Sequence, residues 1–119
     1  MSALRLSLPY PPSANRLWRA VQGRNIKSAE YRAWLHTAAT WARVKYREAL
    51  SGPYAITIAV DRPDRRRRDL GNIEKPISDA LVQAALIRDD SDCQRLTVFW
   101  SDRAPGEGAL VHVEIEATV

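Results

Sequence analysis

GPYAITIAVDRPDRRRRDLGNIEKPISDALVQAA, residues Gly52–Ala85, changes its hydrophobic period half-way along. In the first part Tyr54, Ile56, Ile58 and Val60 alternate with Ala55, Thr57 and Ala59, the period of two that one covered face imposes on a β-strand. From Asn72 onward Ile73, Ile77, Ala80, Leu81 and Ala84 recur at helical spacing, and Pro76, which lacks an N–H, is tolerated only in a first turn. A helix beginning near Asn72 is predicted. Between the two periods lie Asp61, Asp64, Asp69 and four consecutive arginines, Arg65–Arg68.

The flanks complete the pattern. Leu4, Leu6 and Leu8 alternate with Arg5 and Ser7 as a first strand that Pro9, Pro11 and Pro12 stop. From Ser28, a good N-cap, the positions Tyr31, Trp34, Leu35, Ala38, Ala42, Tyr46 and Ala49 predict a helix of about six turns, closed by Ser51, Gly52 and Pro53. After a turn at Asp89–Asp92, Leu96, Val98 and Trp100 form a third strand. Val111, Val113, Ile115 and Ala117 form a fourth, joined to the third by a hairpin loop over Asp102–Gly108. The expected fold is α+β, one domain over residues 1–119, in the order β-α-β-α-β-β: a mixed four-stranded sheet with helices packed on one face.

Of the 119 residues, 45% are hydrophobic and only 5 are Gly, which suits a folded domain rather than a disordered chain. The net charge of +4 is unevenly spread. Residues 1–50 carry nine basic and two acidic side chains, whereas residues 51–119 carry nine basic and twelve acidic ones. One half is suited to a polyanion and the other to a cation. The single Cys93 excludes an intrachain disulfide and a Cys-rich zinc site. No apolar run approaches the roughly 20 residues that span a bilayer, and the first residues lack a secretory h-region. A cytoplasmic protein without membrane contact is expected.

Four adjacent guanidinium groups repel one another unless an anion lies close, and phosphate matches the arginine fork. Three readings of Arg65–Arg68 stand: a phosphate-binding tract, a solvated loop balanced by Asp61, Asp64 and Asp69, or a localisation-like tract. On an ideal helix Asn72, Lys75 and Asp79 share one polar side, opposite the apolar stripe. Asp69 precedes the helix, where the dipole favours an anion, and Asp89 and Asp90 follow it. Carboxylates of this kind suit Mg²⁺ or Mn²⁺, with Lys75 stabilising charge on phosphate. Each residue also has a structural role open to it: Asp69 and Asn72 as caps, Asp79 as an i, i+4 partner of Lys75, and Asp89–Asp92 as an acidic turn.

The run Arg65-Arg66-Arg67-Arg68-Asp69-Leu70-x-Asn72-x-x-Lys75-x-x-x-Asp79-Ala80-Leu81, followed by Asp89-Asp90, resembles the RusA family of Holliday-junction resolvases of phages and prophages. Leu8-Pro9-x-Pro11-Pro12-Ser13-x-Asn15-Arg16 and Ser28-Ala29-Glu30 extend the resemblance over nearly the whole chain. It implies a homodimer that binds branched, four-way DNA junctions and makes paired nicks with Mg²⁺ or Mn²⁺. It also implies that Asp69 and Asp90 are catalytic, metal-binding aspartates and Lys75 the essential lysine. DNA contact is expected from Arg65, Arg66, Arg67, Arg68, Lys75, Asn72, Asn15 and Arg16. One position departs: where the family has a second aspartate, two residues after the first, this chain has Gly71. Asp79 is the preferred replacement, with Glu74 and Asp89 as further candidates. A junction-binding protein with impaired catalysis is the alternative.

Overall fold

The structure, a computed structural model, describes residues 3–118. Its elements in chain order are β1 (Ala3–Pro9), β2 (Trp18–Val21), β3 (Arg24–Lys27), α1 (Ala29–Lys45), β4 (Tyr54–Val60), α2 (Glu74–Gln83), β5 (Cys93–Trp100) and β6 (Leu110–Ala117). Four strands form one mixed sheet in the order β1-β6-β4-β5. β6 runs antiparallel to both β1 and β4, and β4 is parallel to β5, with α2 in the crossover between them.

Register turns the period of two into rows across the sheet. Leu4, Ile115 and Ile56 form one row, Leu6, Val113 and Ile58 the next, and Leu8, Val111 and Val60 a third. All nine are buried, and with Tyr31, Leu35, Ile77 and Leu81 from the two helices they make the core. Burying each such side chain contributes about 1.5–3 kcal/mol. The alternate rows, such as Arg5, Glu114 and Thr57, lie on the opposite face, where Arg5 and Glu114 form an ion pair at 2.8 Å. The mixed four-stranded α+β architecture with helices over one face agrees with the sequence reading.

Four details differ from it. α1 ends at Lys45 rather than near Ala49, because the Tyr46 hydroxyl accepts from Arg5 N (3.0 Å) and donates to Arg5 O (3.2 Å), drawing Tyr46 out of helical geometry (φ −135°, ψ 139°). β5 and β6 are not a hairpin, since β6 inserts between β1 and β4 and leaves β5 at the edge. α2 starts at Glu74; Leu70–Asn72 form a separate 3-10 turn ahead of it. Finally, β2 and β3 form a two-stranded ribbon absent from the six-element order. Every residue of both its strands is exposed, so no burial pattern marks them in the sequence.

Candidate active site

Lys75 is the centre of the polar constellation at the start of α2. Its Nζ lies 3.1 Å from Asp79 Oδ1 and 3.3 Å from Asp90 Oδ2. The first contact is the i, i+4 geometry of one helical face; the second arises because the chain leaving α2 turns back and places Asp90 beside the helix start. The hydrogen bond to Asp79 comes first and Asp90 adds to it, so Lys75 is held above its ordinary 10.5 and stays cationic at neutral pH. An open groove of about 400 Å³ is lined by Lys75, Asp79, Asp89, Asp90, Leu35, Val82, Gln83 and, from β3, Lys27.

Asp79 is engaged on both sides. Its Oδ2 accepts from the Tyr31 hydroxyl at 2.5 Å while Oδ1 holds Lys75. Tyr31 is fully buried. Burial, then the Asp79 hydrogen bond and the charges of Asp79 and Glu74, push its hydroxyl far above its ordinary range, so it donates to Asp79 and does not ionise. Of the two sequence readings of Asp79, the geometry is that of the ion pair with Lys75.

Asp69 caps the 3-10 turn, its Oδ1 accepting from Gly71 N at 2.9 Å. Gly71 has an ordinary backbone, and a Cβ placed there would meet Asp69 Oδ1 at 3.2 Å. Asn72 is exposed in that turn and is not on the helical row with Lys75 and Asp79, because α2 has not yet begun. Asp89 Oδ1 accepts from Ser91 N at 3.3 Å, and that bond, with further ones from Asp90 and Ser91, holds its carboxyl below the usual carboxylate value. Among the described residues, no three His, Cys, Asp or Glu side chains stand close enough to ligate one ion. Asp69, Asp79 and Asp90 therefore do not form the three-carboxylate cluster that the sequence reading assembled.

Glu74 faces inward. Its Oε1 accepts from the buried Ser78 hydroxyl at 2.6 Å. Among the described residues, the buried hydroxyl of Tyr54 has no hydrogen-bond partner. Burial, then Cys93, Asp90, Glu74 and Asp92, push that hydroxyl well above its ordinary 10.0.

The arginine run splits in two. Asp64 accepts from Arg66 N (3.0 Å), lies 3.3 Å from Arg66 Nε and pairs with Arg68 Nη2 at 2.6 Å. Arg68 also lies 5.7 Å from the centre of the Tyr10 ring. Arg65 and Arg67 are exposed and have no acidic partner among the described residues. The loop thus offers two guanidinium groups to an outside anion and keeps two for its own shape. Asn15 and Arg16 are exposed in a 3-10 turn before β2, with Arg16 3.7 Å from Glu30.

The profile of the family described as Endodeoxyribonuclease RusA matches residues 9–116, nearly the whole chain and all of the constellation above. The chain belongs to the RusA family. Its RusA relatives include the crossover junction endodeoxyribonucleases of Escherichia coli strain K12 and of Enterobacteria phage 82, each 39% identical over 92 residues, 76% of this chain and 77% of the relative. The corresponding protein of Shigella sonnei strain Ss046 is 38% identical over the same length.

Sequence reasoning missed three members of this RusA site. Tyr31 reads as core by its spacing; a tyrosine rather than phenylalanine on an apolar stripe is the one available signal that a polar partner waits for it. Tyr54 carries the same signal. Lys27 sits on a strand that the burial pattern does not reveal. His112, to which the sequence gives no role, lies away from the groove: its Nε2 is 3.1 Å from Asp61 Oδ2 and its Nδ1 2.8 Å from Ser7 Oγ.

Proposed function

We propose that this chain is a structure-selective endonuclease that resolves four-way DNA junctions by paired nicking with Mg²⁺ or Mn²⁺, working as a homodimer. The observation that carries the reading is the cationic Lys75, steered between Asp79 and Asp90 in an open groove. A cation fixed by two carboxylates is poised to exchange one of those bonds for a non-bridging phosphate oxygen as charge builds there. Arg65 and Arg67 supply forks for the flanking phosphates.

Asp69 and Asp90 are the first choice for a hard cation, each spending one oxygen in a protein hydrogen bond, Asp69 with Gly71 N and Asp90 with Lys75 Nζ. Mg²⁺ is usually held by one or two carboxylates plus water and substrate phosphate, so the absence of a three-carboxylate cluster among the described residues is compatible with it. When bound, the ion lowers the pKa of a water and neutralises charge on the phosphate. For the position vacated at Gly71, Glu74 fits better than Asp79: Glu74 engages only Oε1 in a protein hydrogen bond among the described residues, whereas Asp79 has both oxygens engaged. Asp89 ranks behind both.

Paired cuts across a two-fold junction call for two sites related by a two-fold axis, which is the argument for the homodimer. The expected result is Mg²⁺- or Mn²⁺-dependent nicking of a synthetic four-way junction. Asp69→Asn should lower the rate by at least about a hundredfold, because a lost ligand removes several kcal/mol of transition-state stabilisation. Cutting that persists in excess EDTA would sink the metal mechanism. Gly71 favours one second reading, a junction-binding protein without catalysis. That reading predicts salt-sensitive junction binding and no product at any metal concentration.

A further inference from the structure

The β2–β3 ribbon is the largest feature that the proposed chemistry leaves unused. It is a tight hairpin: Gln22 and Gly23 both take positive φ (51° and 75°), the geometry of a two-residue turn matched to strand twist. An isolated two-stranded ribbon is marginal in water. This one is anchored at its base, where Ser28 N donates to Leu17 O at 2.9 Å and Ser28 Oγ donates to Arg16 O at 2.5 Å. Beyond the base the ribbon packs little of itself away. Trp18, Val21 and Ile26 are 44%, 38% and 37% exposed.

Its charge is one-signed. Between Arg16 and Lys27 lie Arg19 and Arg24 and no acidic residue. Among the described residues, Arg19, Arg24 and Lys27 have no ion-pair partner. Such a ribbon would repel its own copy across a two-fold axis and attract a polyanion. Its register puts Trp18 directly opposite Lys27, so indole and ammonium share one face. That face adjoins the candidate site. The Trp18 and Tyr31 rings meet in a T-shaped pair (6.0 Å, 68°), Tyr31 bonds Asp79, and Lys27 lines the groove with Lys75 and Asp90.

We propose that the β2–β3 ribbon is a strand-guiding arm for DNA: Trp18 stacks on a base unpaired at the branch point, and Lys27 holds the adjoining phosphate of the strand that enters the groove. An aromatic face beside a cation is the usual platform for single-stranded nucleic acid, because every base has a π-face and every nucleotide a phosphate. The inference rests on the junction-nuclease reading and adds to it the element that recognises the open strand.

The test uses the full chain and a synthetic four-way junction carrying 2-aminopurine at the branch point, with a linear duplex of the same sequence as reference. Trp18→Ala is expected to weaken junction binding about tenfold and to abolish the change in 2-aminopurine fluorescence, with Trp18→Phe restoring most of both. Lys27→Met is expected to lower the slope of log affinity against log salt by about one, whereas Arg47→Met, beyond the end of α1, does so less. The proposal is overturned if Trp18→Ala, melting like the wild type, binds and reports as the wild type does. An unchanged salt slope for Lys27→Met, or an equal loss for Arg47→Met, overturns it too. So does a Trp18→Ala chain whose only change is in oligomeric state without DNA. If the wild type binds and cuts the junction while the variants match it, only the arm is wrong. If the wild type does not bind junctions, the arm and the nuclease reading fall together.

Discussion

Lys75 draws its role from three oxygens that are not its own. The buried Tyr31 hydroxyl fixes Asp79, and Asp79 fixes the ammonium. Tyr31→Phe keeps the packing and removes one hydrogen bond. It should cost about 1–2 kcal/mol in urea unfolding and slow cutting about tenfold while junction affinity stays within about twofold, a split that a general loss of stability would not produce. Gly71→Asp probes the vacated position. The backbone accepts a side chain there, and among the described residues the close neighbour of the new Cβ is the Asp69 carboxylate at 3.2 Å. The restored carboxylate should lower the Mg²⁺ concentration needed for half-maximal cutting several-fold; an unchanged requirement would mean that Glu74 or another group already fills the place.

At the scale of elements, Asp61 ties the ends of three strands together. It follows β4, accepts from Ser101 Oγ beyond β5 (2.6 Å) and Leu110 N at the start of β6 (3.0 Å), and meets His112 of β6 at 3.1 Å. Burial alone would raise its pKa, but the bonds from Ser101, Leu110 and His112 outweigh that and hold it below the ordinary 3.8. A carboxyl with a depressed folded value contributes stability that is fully present above the unfolded value and is lost as the pH falls through the folded one. Asp61→Asn should therefore lower the melting temperature more at pH 7 than at pH 3; an equal drop at both would show that the charge contributes nothing. The strands joined here were legible because period-two alternation reports a covered face directly. The early end of α1 was not, since the Tyr46 hydroxyl that ends it bonds to Arg5, 41 residues away. Nor was the pairing of β6 between β1 and β4, because alternation says which side of a strand is covered and nothing about its neighbours.

For the whole molecule, the paired chemistry of a symmetric junction predicts a dimer. Sedimentation equilibrium at micromolar concentration should return twice the 13.4 kDa of one chain. A monomer that still makes both cuts in one encounter would remove the need for the second site. The two halves of the charge distribution meet at the groove, where cationic Lys27 from the ribbon stands across from Asp79, Asp89 and Asp90. Among the described residues no helix is long and apolar enough to cross a membrane.

The sequence by itself determined the four strands of the main sheet, the two helices and the family, and it set Asp69 and Lys75 around the start of the second helix. Hydrophobic period and motif spacing are local quantities, and those conclusions needed nothing else. Only the tertiary structure decided that Asp79 serves Lys75, that the chain after α2 returns Asp90 to the same ammonium, and that an exposed ribbon reaches the groove. Each of these depends on which distant side chain satisfies a polar atom. Burial makes such partnerships obligatory, but a linear pattern does not name the partner.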